Sequence, residues 1–341
     1  MDNQMFQFSD QALFLVWGGA GMGPRSRVFA RKLGIRELHF IELKVRRSAW
    51  SAPLRYVSQA IQTLQLLFSK RPKIIFVQNP PSFAVMIVAF YCWVARAKYV
   101  IDAHSAAFTY SLWTKPAFLI QALARWAVVT IVTNEHFQRT VQSWGGRAFV
   151  LRDIPTNFPT SGSFTFDGSF NVVVVNTFSP DEPLREIIEA AKVLENVHFY
   201  ITGKKNRAPA GIFSAVPDNV TFTDFLPDET YYALLDGSDA VMCLTLRDHT
   251  MQRGACEALS MGKPIITSDW PLLKDYFSRG TVHVDNSVQS IRLGIEQMEN
   301  RHEFYVTEIG EMQRLQLQEW QEKASLLNQL IMESMQEKQG E

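Results

Sequence analysis

Short apolar runs alternate along this chain with longer stretches of helical spacing. In the first half, Leu13 to Trp17, Leu38 to Leu43, Ile74 to Gln78, Tyr99 to Asp102, Val128 to Thr133 and Ala148 to Leu151 predict strands. Between them, Arg25 to Leu33, Leu54 to Phe68, Phe83 to Arg96, Pro116 to Arg125 and Glu135 to Trp144 repeat at helical period. Strands that alternate with helices predict an open parallel sheet covered on both faces. From Arg152 to Phe170 the period is lost in a Pro-, Gly-, Ser- and Thr-rich stretch, RDIPTNFPTSGSFTFDGSF, that reads as a linker. A second α/β series follows. Its predicted strands are Asn171 to Asn176, His198 to Thr202, Val220 to Phe222, Ala240 to Leu244 and Pro264 to Thr267, and its predicted helices are Pro183 to Leu194, Asp228 to Leu235 and Gln252 to Ser260. The tail from Glu296 to Gln336 is mostly helical pattern, rich in Glu and Gln.

The expected organisation is therefore an α/β domain over 1–155, a linker over 156–170, a second α/β domain over 171–300 and a helical segment over 301–341. The 341-residue length agrees, because single cores seldom grow past about 250–300 residues. Two similar domains facing a cleft would bind a ligand at the carboxyl ends of their strands.

Charge divides the chain as sharply as the pattern does. Residues 1–150 hold 18 Lys and Arg against 6 Asp and Glu, a net of +12, which the remainder cancels. A basic half calls for an anionic counterpart such as acidic lipid or a phosphorylated substrate, while the acidic half argues against a general nucleic-acid binder. Cys92, Cys243 and Cys256 are widely spaced and odd in number, without a C-x-x-C pair, which fits a reducing cytoplasm. The N-terminus MDNQMFQFSD is acidic and polar where a secretory signal would be basic and then apolar. The most apolar run, Phe83 to Ala95, is too short to span a bilayer as a helix.

Four segments could carry chemistry. The loop GGAGMGPRSR after the first strand offers Gly19 and Gly21 for close backbone approach and Arg25 for charge, which suits a phosphate or acceptor loop. Its spacing departs from G-x-G-x-x-G, and a tight chain reversal explains the glycines equally well. Asp102 and His104 stand where a strand runs out into a loop, and a carboxylate beside an imidazole can orient a proton acceptor. Lys204 and Lys205 follow a strand end at Gly203, aimed to neutralise a diphosphate. The fourth segment, CLTLRDHTMQRGACEALSMGKPIITSD, is the most specific. Here a strand ends, a polar loop follows, and a helix opens with Arg253 and Gly254 in its first turn, where free N–H groups can receive phosphate oxygens. Glu257, one turn on, could bond both hydroxyls of a ribose.

This last stretch resembles the donor-nucleotide segment of GT-B glycosyltransferases, particularly glycosyltransferase family 4. Glu257 matches the second of that family's paired glutamates, the one that binds ribose. His249 stands eight positions earlier, near the place of the first, with Asp248 beside it as another substitute for its contact to the donor sugar. FSPDEPLREIIEAAKVLENVHFYITGK resembles the first β-α-β unit of the family's C-terminal domain, although Asn176 to Ser179 replaces its usual Arg and Lys. QNPPS, IDAHS and RDIPTNFP look similar to the β-1,4-mannosyltransferases that extend lipid-linked chitobiose.

The resemblance implies a GT-B fold: two Rossmann-like domains facing a central cleft, with a C-terminal helical extension. It implies hexose transfer from a UDP- or GDP-sugar co-substrate to a hydroxyl on a glycan or lipid-linked glycan, with no cofactor and no metal. Asp102 and His104 would serve as catalytic residues, and Lys204, Lys205, His249, Arg253, Gly254 and Glu257 would bind the donor. Lys44, Arg46, Arg47 and Trp50 predict a basic, aromatic surface for an anionic membrane, so the expected location is cytoplasmic, peripheral on the inner face. A sugar-nucleotide epimerase or a non-catalytic nucleotide-sugar-binding subunit would share many of these features.

Overall fold

A computed structural model describes residues 11–18, 24–42, 52–156, 158 and 162–336. Contacts divide the chain into two compact units, Met1–Asp153 with Trp320–Glu341, and Ile154–Glu319.

The first unit runs β1 (Ala12–Trp17), α1 (Pro24–Lys32), β2 (Glu37–Ile41), α2 (Ala52–Lys70), β3 (Ile74–Asn79), α3 (Ser82–Ala95), β4 (Lys98–Ala103), α4 (Ala106–Thr109), α5 (Ser111–Thr114), α6 (Ala117–Trp126), β5 (Val129–Val132), α7 (Glu135–Ser143) and β6 (Ala148–Val150). Its strands form one parallel sheet in the order β2-β1-β3-β4-β5-β6. Alternation along the strands sorts side chains to two faces. Leu13, Leu15, Ile75, Val77 and Ile101 pack with Leu67 of α2, Val88 of α3 and Leu123 of α6. On the other face Phe14 stacks on Phe76, and Phe29 of α1 meets the edge of Trp320. Each fully buried side chain of this size contributes about 1.5–3 kcal/mol. The strands β2 and β3 leave β1 on opposite sides, so the carboxyl ends of β1 and β3 frame a switch point, the usual ligand position in such sheets.

The second unit continues with β7 (Phe170–Val174), α8 (Leu184–Ala191), β8 (Val197–Thr202), β9 (Val220–Asp224), α9 (Asp228–Gly237), β10 (Ala240–Cys243), α10 (Arg253–Ser260), β11 (Ile265–Ser268), α11 (Pro271–Tyr276), β12 (Thr281–Val284), α12 (Val288–Asn300) and α13 (His302–Gln336). Its sheet is also parallel, ordered β12-β11-β10-β7-β8-β9, with the switch point between β7 and β10. Val172 and Val174 face α8 and α12, while Val173 faces α9 and α10.

One expectation changes. The segment expected as a linker packs onto the second unit: Phe158, Phe164 and Phe166 lie against its core, and the Asp167 amide donates to the Tyr200 hydroxyl at 2.7 Å. Burial of these rings outweighs the Pro- and Gly-rich composition around them. The C-terminal helical extension expected from the sequence is present. Its one long helix, α13, belongs to the second unit through Glu319 and to the first from Trp320 onward, where Trp320, Ala324, Leu327 and Ile331 are buried.

Candidate functional site

At the carboxyl end of the first sheet, a cluster forms around Asp102. Its side chain is fully buried on β4, opposite Gln78 of β3. Arg25, in the first turn of α1, donates through Nε to Asp102 at 3.3 Å, through Nη1 to Asp153, and through Nη2 to the Leu151 carbonyl at 2.8 Å. The guanidinium also stacks on Phe29, 4.0 Å from the ring centre. The other Asp102 oxygen lies 3.3 Å from Nε2 of His104. Burial alone would raise the Asp102 pKa, but Arg25 and His104 outweigh it and hold the carboxyl below its usual value. Burial likewise opposes the charge of Arg25, and Asp153 and Asp102 reverse that effect. This carboxylate thus stays ionised and holds a partly buried imidazole.

Arg25 differs from its expected part as a phosphate ligand. All three guanidinium nitrogens have protein partners, so it positions Asp102 and ties down the chain after β6. Gly19 and Gly21 lie outside the described residues, as do Lys44, Arg46, Arg47 and Trp50.

In the second unit, α10 starts beside the switch point. Gly254 packs where a Cβ would come 2.7 Å from the Cys243 sulfur and from Val175. Its missing side chain therefore lets the helix sit against β7 and β10, a packing need distinct from the ligand approach expected for it. Gly254→Ala should lower the unfolding midpoint despite alanine's better helix propensity, because overpacking costs about 1–3 kcal/mol against about 1 kcal/mol gained. A thermal melt of the two proteins checks this.

Glu257, one turn further, is buried and bonded through both oxygens. Tyr231 of α9 donates to one at 2.7 Å, and Nε of Arg253 to the other at 2.8 Å. Burial and the Glu257 charge push the Tyr231 phenol well above its ordinary value, so it remains a donor. Burial opposes the Arg253 charge, but Glu257 raises its pKa overall. An ionised carboxylate has about four acceptor positions, so these two bonds leave capacity for a diol. The Arg253 side chain is 61% exposed, and its outer edge can meet an anion. Lys204 and Lys205 are exposed after β8, the neighbour of β7, with Lys204 Nζ 4.8 Å from the Phe225 ring centre. His249 lies between β10 and α10 with φ of 55°, its Nε2 3.5 Å from Asp248.

Sequence reasoning missed the acids that shape the loop after β7. The Glu182 carboxylate accepts from the amides of Thr177 at 2.9 Å and Ser179 at 2.8 Å, and from the Thr177 hydroxyl at 2.9 Å. Asp181 accepts from the Thr245 hydroxyl at 3.0 Å and pairs with Arg247 at 3.3 Å, joining this loop to the one after β10. The S-x-x-E spacing of Ser179 and Glu182 was a legible signal, since a Glu three residues after a Ser commonly bonds back to the Ser amide. Among the described residues, no group of three or more His, Cys, Asp or Glu side chains could hold a metal ion.

Residues 169–298, which include β7, β10, α10 and Glu257, match the family model described as glycosyl transferases group 1. That segment is similar to group 1 glycosyl transferases. Solved structures extend the likeness around this segment to both units. HepE of Anabaena in complex with UDP and glucose superposes with a TM-score of 0.65 at 16% identity, over 95% of this chain and 99% of that one. A sucrose-phosphate synthase of Thermosynechococcus elongatus gives 0.68 at 13%, over 95% and 99%. A Listeria monocytogenes protein described as a UDP-N-acetylglucosamine 2-epimerase gives 0.58 at 9%, over 87% and 90%. At these identities the likeness shows the fold, which is GT-B. No curated protein matches the sequence.

Proposed function

We propose that the chain moves a hexose from a UDP-sugar to an acceptor hydroxyl on a lipid-linked or polysaccharide precursor at the cytoplasmic face of a membrane. The observation that carries the donor half is Glu257. A buried carboxylate, held by Tyr231 and Arg253 beside a switch point inside the family match, suits a ribose diol. HepE, which shares the fold, has been crystallised with UDP and with UDP-glucose, which favours UDP over GDP.

In this reading the N-terminus of α10, Arg253, Lys204 and Lys205 stabilise the negative charge that develops on the leaving diphosphate. His249 contacts the donor sugar. The Asp102 and His104 pair serves the transferred sugar or the acceptor hydroxyl: Asp102 orients the imidazole, and His104 is its solvent-reaching partner. The nucleotide sugar is a co-substrate, and the proposal includes no cofactor.

Thermal shift with UDP, GDP and ADP tests the donor. A ligand at about 100 times its Kd adds about 2.7 kcal/mol, so UDP should raise the midpoint by several degrees and the others by less. No shift with UDP, or a larger one with GDP, would overturn the UDP assignment. Radiolabelled UDP-sugar incubated with lipid and glycan acceptors then separates the reactions. Label in the glycan supports transfer, while label in a new free sugar nucleotide would support the epimerase alternative.

A further inference from the structure

The helical layer over one face of the first sheet is apolar on its outer side as well as its inner side. In α2, Gln59, Thr63 and Leu67 are buried toward the sheet. On the opposite side Leu54, Val57, Ile61 and Phe68 fall on one stripe at helical spacing, and all are exposed, Leu54 by 65%. A helix at a water-facing surface places polar residues there. The neighbouring helices repeat the anomaly. Trp93 at the end of α3 is 79% exposed, and on α6 Phe118 is 72% and Trp126 71% exposed. The three helices pack side by side, α2 on α3 and α3 on α6, and Phe90, Trp93, Leu119 and Trp126 line a common groove of about 890 Å³.

The helices α2, α3 and α6 carry no acid, and Glu37 of β2 pairs with Lys70 at the end of α2. Between Glu42 and Glu135 the only acid is Asp102, and it is buried beneath Arg25. Over the same stretch Arg71, Lys73, Arg96, Lys115 and Arg125 are exposed. A second copy of this chain would bring the same cationic surface against it and be repelled. Nucleic acid would meet the bases but leave the apolar stripe unpaired. An anionic bilayer satisfies both features, because indole and phenyl rings settle at the boundary between headgroups and acyl chains while Arg and Lys reach lipid phosphates. No helix among the described residues is long and apolar enough to cross a membrane, so the contact is interfacial.

We propose that the outer face of α2, α3 and α6 is a docking surface for an anionic lipid bilayer, with the α2 stripe and Trp93, Phe118 and Trp126 entering the interface. The proposal deepens the reading of a membrane-borne acceptor by naming the surface involved, but it stands on this helical layer alone. None of these residues belongs to the Asp102 or Glu257 clusters.

Vesicle co-sedimentation of the full chain tests it, with phosphatidylcholine alone and with phosphatidylcholine plus phosphatidylglycerol. Binding to the anionic vesicles should be at least about tenfold tighter and fall as salt rises. Trp93→Ser with Trp126→Ser, and separately Ile61→Glu, should each weaken binding at least tenfold while the unfolding midpoint and the UDP-induced shift stay as in the parent protein. These sites are exposed, so folding should survive. Equal or absent binding of the parent chain to both vesicles would overturn the proposal. So would variants that bind as well as the parent, or a concentration-dependent dimer that the double variant abolishes. UDP binding is read without lipid, so loss of the docking face leaves the donor assignment standing, and the reverse.

Discussion

Glu257→Ala is expected to weaken UDP binding by at least about 100-fold, because a ribose diol loses two hydrogen bonds to a carboxylate, each worth about 1.5–3 kcal/mol. The same change removes the partner of Tyr231 and Arg253, and a buried phenol left unpaired costs about 1–3 kcal/mol of stability. A lower unfolding midpoint therefore cannot distinguish a nucleotide ligand from a structural hub. Comparison of UDP with 2′-deoxy-UDP can. Parent protein should prefer UDP by about tenfold, the value of one such bond, and Glu257→Ala should bind both alike. Tyr231→Phe supplies the opposite control, since it removes one support of the carboxylate and leaves the carboxylate itself. It should lower stability yet retain most of the preference for UDP. If parent protein binds the two nucleotides equally, Glu257 does not hold the ribose.

What the sequence revealed, and what it hid, follows from the range of the interactions. Val172 to Val174 and Ile74 to Val77 announce buried parallel strands because consecutive side chains are all apolar. The last strand of the second sheet, β12, is four residues long and contains His283, so no comparable run marks it. The Phe rings after Asp153 were lost among Pro, Gly and Ser, though composition does not say which side chains pack. Glu257 could be found from a local strand, loop and helix order, but Tyr231 is 26 residues away on another helix. Arg25 reads locally as a cation beside a glycine loop, and only the fold brings it to Asp153, 128 residues later. Both clusters thus have a local anchor that sequence can suggest and distant partners that hold it in place. Pairings of that kind change the interpretation as well as the inventory: Arg25 moved from phosphate ligand to positioning residue once its partners were known.

Asp102→Asn is expected to reduce transfer by about 100-fold, the lower part of the range for positioned proton-transfer groups, with UDP binding unchanged. The argument rests on which partner each atom meets. In the parent protein an anionic Asp102 accepts a bond from His104 and fixes the ring, while Arg25 keeps it ionised. An asparagine can turn its amide NH2 toward Nε2, which reverses the donor and acceptor roles and favours the wrong imidazole tautomer. His104→Ala should lose a similar factor by removing the ring. Stability carries a separate signature. Because the folded Asp102 pKa lies below the ordinary 3.8, its contribution is fully present above the unfolded value and is lost as pH falls through the folded one. Acid melts of the parent protein should thus steepen below about pH 4, and Asp102→Asn should flatten that limb. Removing the carboxylate should also cost stability at neutral pH, toward the low end of about 3–5 kcal/mol, since Asp153 still pairs with Arg25. A variant that shows the acid and stability effects but transfers sugar at the parent rate would make the cluster a structural clamp for the chain after β6. A rate loss with intact UDP binding, reproduced by His104→Ala, places the pair at the transferred sugar or its acceptor.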